Sequence, residues 1–204
     1  MSKLEKGMIG FFFGGIIVIL SFLLGWFLSY GLCVMFHLPE SIITLGGTVG
    51  MGVGFVLDFI FLKKIVAQGY NLHPGVWIGA YFILSLLIFG FFMGVPVFNI
   101  FAGILAGIYT GRKMKFQRTT GPEFKRKLRH ACFFTSGVIL LVCIASAMLA
   151  LSDQHTAANL QGMLKLKEVT PAMIRDLILY GGIGTIIVQY ATTWFAGKWA
   201  YALK

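Results

Sequence analysis

Asp58 is the one acid inside an otherwise apolar stretch of this chain, five residues before Lys63 and so about 7 Å from it along a helix. A carboxylate in hydrocarbon is costly and defaults to a functional candidate. Two roles fit it: pairing with Lys63, Lys64 or Arg112, or a part in proton coupling or partner docking. Further on, Thr185, Gln189 and Thr192 or Thr193 fall at i, i+4 and i+7 or i+8, a polar stripe on one helix face. Gln189 stands near mid-bilayer and needs a partner, on another helix or on a solute in a cavity. Trp26 and Tyr30, one turn apart, either stack on an aromatic ligand or pack against lipid and core. His37, Glu40, Asn99, Asp153 and His155 fall on the side away from the basic loops. Cys33 and His37 share a face and suggest a soft metal, yet ligand types alone define no site.

Catalytic patterns are missing. The sequence has no HExxH, no Ser/His/Asp arrangement in a suitable loop and no paired carboxylates on one face. Gly50-x-Gly52-x-Gly54 has no strand before it and is not a phosphate loop. Three cysteines (Cys33, Cys132, Cys143) without CxxC spacing indicate neither a disulfide framework nor a zinc site. The expectation is therefore a protein without catalysis, cofactor or metal.

The elements that must position these residues follow from composition. The chain is 58% hydrophobic and 12% charged, outside the range of a soluble domain. Charge-poor intervals separate Lys6 from Glu40, Glu40 from Lys63, His73 from Arg112, His130 from Asp153 and Asp176 from Lys198. The third interval would make about 57 Å of helix, against a bilayer core of about 30 Å. It therefore folds back as a hairpin, broken at Gly94, Pro96 and Asn99. The expected fold is all-α, a polytopic bundle of six transmembrane helices near 8–36, 42–63, 75–94, 96–113, 130–151 and 171–199, in one transmembrane domain spanning 1–204. The alternative is a kink between the third and fourth helices that does not cross the whole bilayer.

Fourteen of the 17 Lys and Arg, among them Lys3, Lys204 and the eight of the 111–130 loop, fall on one side of this scheme; Lys165, Lys167 and Arg175 fall on the other. Cationic connections stay cytoplasmic, so both termini are expected inside a cell membrane. The net charge of +10 then reports topology and anionic-lipid contact rather than nucleic acid, for which no folded basic domain exists. Lys3 and Lys6 before a long apolar run look like the start of a signal peptide, but no small-residue cleavage site follows, so a retained helix is expected. Outside the membrane, 152–170 reads as a short helix, and Thr170-Pro171 as the N-cap and first turn of the last one.

Glycines mark the even-numbered helices. Gly46, Gly50 and Gly54 recur every fourth residue in the second, and Gly103, Gly107 and Gly111 in the fourth, while the sixth has Gly181, Gly182 and Gly184. Such stripes let helix backbones approach closely, or provide a sliding surface for coupling. The first and third helices are instead rich in Phe, Leu and Ile.

Two segments carry a family resemblance. Leu45-Gly-Gly-Thr-Val-Gly-Met-Gly-Val-Gly-Phe-Val-Leu-Asp-Phe-Ile60 is similar to the second helix of the substrate-binding S components of energy-coupling-factor transporters. There a glycine-spaced run ends in an acid near the cytoplasmic face. Pro96-Val-Phe-Asn-Ile-Phe-Ala-Gly-Ile-Leu-Ala-Gly-Ile-Tyr-Thr-Gly111 resembles a later small-residue helix of that family. The resemblance implies a subunit with an outward cavity for a vitamin or metal, a scaffold membrane partner and cytoplasmic ATPases. It matches only Gly50, Gly54 and Asp58 by position, and the family's alanine-spaced face is missing from the first helix.

The function these readings favour is a small membrane transport protein that binds a small solute from the outer side. Its cavity would be formed by Trp26, Tyr30, Asn99, Asp153, His155 and Gln189, with other membrane subunits or an ATPase module docking on the 111–130 loop. A structural or accessory subunit of a larger membrane complex is the alternative, and a lipid enzyme a third reading.

Overall fold

The computed structural model describes residues 3–92, 94–165 and 168–203, with side chains for all of these except 3, 4, 163 and 164. Lys167 and Lys204, and the side chain of Lys3, therefore lie outside the described residues. The described chain is all-helical: α1 (Lys3–Phe36), α2 (Ser41–Ala67), α3 (Pro74–Phe91), a 3-10 turn (Pro96–Asn99), α4 (Ile100–Phe116), α5 (Gly121–Ser152), α6 (Thr156–Leu164) and α7 (Pro171–Ala202). Five of these helices, α1, α2, α3, α5 and α7, are long and apolar enough to cross a membrane. α4 has 17 residues, about 26 Å of helix, and gains length only through the 3-10 turn before it.

The chain forms two compact units, residues 1–80 and 81–204. In the first, α1 and α2 pack along most of their lengths. Their turn is closed by His37 in the left-handed region (φ 50°) and by the Leu38 N–H donating to the Cys33 carbonyl. A Cβ on Gly46, Gly50 or Gly54 would strike Ser29, Ser21 or Val18 of α1, and one on Gly25 would strike the Gly46 carbonyl. Gly14, Val18, Ser21, Gly25 and Ser29 thus give α1 a small-residue stripe of its own, at spacings of three and four. At the other end of the hairpin the Trp77 ring stacks on Phe12 (5.3 Å) and stands edge-on to Phe13 (4.8 Å).

In the second unit α4 and α7 run parallel. Gly103 meets Gln189 and Thr193, Gly107 meets Ala196 and Gly197, and Gly111 meets Ala200 and Tyr201. α5 lies antiparallel to both, with Thr135 beside Thr193 and Leu128 against Gly197. Gly181, Gly182 and Gly184 take no part: no atom lies within 4 Å of where their Cβ would stand.

The helices outrun the charge-free intervals. α5 starts at Gly121 rather than near 130, and α4 continues to Phe116, so most of the expected 111–130 loop is helix. Local chemistry explains the early start. Thr120 is extended (ψ 155°), Pro122 follows in the first turn, and Glu123 pairs with Lys127 one turn on, at 2.9 Å. Absence of charge marks where hydrocarbon begins, not where helix begins. Thr170 caps α7 as expected, accepting from the Met173 N–H at 3.3 Å.

Candidate functional site

Polar side chains gather in the second unit, where hydrocarbon-facing helices would be expected to keep them out. Gln189 and Thr193, one turn apart on α7, are both fully buried. Gly103 of α4 makes their position possible, because a Cβ there would collide with the Gln189 amide and lie 2.8 Å from Thr193 Oγ1. From α3, the Tyr81 hydroxyl accepts from Gln189 Nε2 at 3.2 Å, and Ser85 stands buried one turn beyond it. From α5, Thr135 Oγ1 shares a hydrogen bond of 3.2 Å with Thr193 Oγ1 and also donates to the Cys132 carbonyl. Asn99, at the start of α4 and one turn before Gly103, is 1% exposed. Four elements thus build a polar seam.

The seam is incompletely satisfied. Gln189 Oε1 and both Asn99 amide atoms are buried without a hydrogen-bond partner. A buried polar group without a partner is costly, so these atoms are where a polar group from outside the chain, water included, would gain hydrogen bonds. The seam is also graded along its length. Asn99 lies at the hairpin end, Gln189 and Tyr81 about a turn further, and Thr135 and Thr193 beyond them. At the other end Met114, Phe124, Leu128 and Cys132 close it with a buried apolar cluster, packed against Tyr190, Trp194 and Tyr201. Below that cluster Phe124 stacks on Tyr201 (4.0 Å), the Tyr201 hydroxyl donates to the Thr119 carbonyl (2.7 Å), and Arg112 donates to the Leu203 carbonyl (2.9 Å). These bonds hold the end of α7 against α4 and α5, with the cation placed at the negative end of the α7 dipole.

The other sequence candidates are placed differently. Asp153 and His155 are exposed, and Asp153 Oδ1 accepts from the His155 N–H at 2.9 Å, which closes the turn into α6 rather than reaching the seam. Trp26 and Tyr30 stack on each other in the first unit, 6.1 Å between centroids and 11° apart in plane, on the outward surface of α1. Cys33 donates to the Pro39 carbonyl. Among the described residues no group of three His, Cys, Asp or Glu could hold a metal.

Asp58 occupies a separate setting in the first unit. Its carboxylate packs against Gly14, whose Cβ would come within 2.9 Å of Oδ2, while Oδ1 has no hydrogen-bond partner. It edges an open, mostly apolar groove of about 630 Å³ lined also by Lys6, Phe55, Phe59, Leu62 and Lys63. Of the cations expected to neutralise it, Lys63 lies over the Phe59 ring (5.7 Å) and Arg112 bonds the end of α7.

Gln189, Asn99 and the threonine stripe are legible in the sequence, which offers Thr192 and Thr193 as alternatives. The structure buries Thr193, while Thr192 bonds back to its own helix. Tyr81, Ser85 and Thr135 were missed. Tyr81 and Ser85 stand four apart in an apolar run, a spacing that could have revealed them; Thr135 gives no such signal. Comparison with protein-family models, curated proteins and solved structures returns no match.

Proposed function

We propose that this is a small multi-pass membrane transport protein that holds a small solute in the Asn99–Gln189 seam, entered from the outer face. The carrying observation is the set of buried, unpartnered amide atoms of Asn99, in the 3-10 turn before α4, and of Gln189, on a helix otherwise fit for lipid. A structural seam would be expected to satisfy its own polar atoms. The topology proposed is six crossings with both termini cytoplasmic. The uneven distribution of Lys and Arg supports it. So does the parallel packing of α4 on α7, which puts the short helix at the depths α7 occupies. The S-component resemblance adds a proposed partner, an ATPase module at the basic ends of α4 and α5.

Native mass spectrometry of the purified protein tests the reading. Wild type should carry a low-mass adduct that Gln189→Leu and Asn99→Leu both lose. An adduct unchanged in both variants would remove the site. The accessory-subunit reading draws on one observation, the uncovered glycine face at Gly181, Gly182 and Gly184. Stoichiometric protein partners with no bound solute would favour it.

A further inference from the structure

We infer that the seam is built for an uncharged molecule that both donates and accepts hydrogen bonds, such as a small amide, a urea or a polyol. The inference rests on the transport reading above and adds the chemical class of the solute. Its first ground is the absence of compensating charge. The sequence has no Asp, Glu, Lys or Arg from 74 to 111, from 131 to 152 or from 177 to 197, the stretches that supply every wall of the seam. A bare ion brought among them would leave water without gaining a counter-charge, which is prohibitive in a medium of low dielectric.

The second ground is the set of unpartnered amide atoms. Gln189 Oε1 and Asn99 Oδ1 are acceptors, and Asn99 Nδ2 is a donor. An anion would need donors only and a cation acceptors only; this mixture suits a neutral guest carrying both. Ala102, Val138 and the Tyr81 ring, packed together beside it, give that guest an apolar wall. Further along, Gly107 and Gly111 bring α4 into close backbone contact with α7.

Full-length protein reconstituted in liposomes, with solute entry followed by stopped-flow light scattering, tests the class. The neutral probes are urea, acetamide and glycerol; the charged probes are guanidinium chloride and sodium acetate. At least one neutral probe should enter faster than in protein-free liposomes, and Gln189→Leu should slow that entry about tenfold, the effect of one lost hydrogen-bond partner. Asn99→Ala replaces it should Gln189→Leu fail to elute as a monodisperse peak. Gly52→Ala, at a position with open space around it, should behave as wild type. Faster, Gln189-dependent entry of guanidinium or acetate would overturn the neutral class and leave transport standing. Entry of none of the five through monodisperse protein would overturn both.

Discussion

Whether Gln189 can sit in the seam turns on one absent methyl group, at Gly103. A Cβ there would occupy the space of the Gln189 amide and press on Thr193 Oγ1. Gly103→Ala should therefore lower thermal stability in detergent by about 1–3 kcal/mol, the usual cost of overpacking. Pairing it with Gln189→Ala, which empties that space, should recover most of the loss; two additive losses would show that the residues do not compete for one position. At this scale the sequence was informative where polar residues repeat at helical spacing, as in Thr185, Gln189 and Thr193. Asp153 and His155, which close the turn into α6, show that polarity alone does not separate a side chain facing a cavity from one closing its own turn. Asn99 stands out in the sequence as a polar residue on the outer side; its burial depends on neighbours far away in the chain.

Among the elements, the α1–α2 hairpin makes the sharpest prediction. A side chain on Gly50 would meet the backbone of Ser21, which cannot rotate away, whereas Gly52 on the opposite face has nothing within 4 Å. Gly50→Val should thus separate the two helices and sharply raise trypsin cleavage at Lys63 or Lys64 in detergent, while Gly52→Val leaves cleavage unchanged. Equal sensitivity of the two variants would refute the close approach. The glycine spacing of α2 and α4 made these seams legible. The matching stripe on α1 was hidden among Phe, Leu and Ile, and needed Ser21 and Ser29 to be read as small residues alongside Gly14 and Gly25. Helix lengths were legible only within the apolar intervals. The amphipathic start of α5, where charged residues surround buried Phe124 and Leu128, belongs to a period that charge counting ignores.

For the molecule as a whole, the number of crossings is open to a direct check. Six crossings put a reporter fused before Met1 and another fused after Lys204 on the same side of the membrane; five put them on opposite sides. We expect both in the cytoplasm, where alkaline phosphatase is inactive and a fluorescent protein folds. The all-helical membrane character was legible from composition because hydrocarbon leaves a chain so few options. The division into two units was not, since it depends on which helices choose one another. That choice has a consequence for biosynthesis. α4, short and ending in Arg112, Lys113 and Lys115, leaves the ribosome well before α7, whose Gln189–Ala200 stretch fills its glycine groove. On the proposed six-crossing topology, α4 would enter the bilayer before α7 with its glycine groove unfilled and only α5 to pack against. A nascent chain stalled before 189 should therefore be the form that quality-control proteases extract.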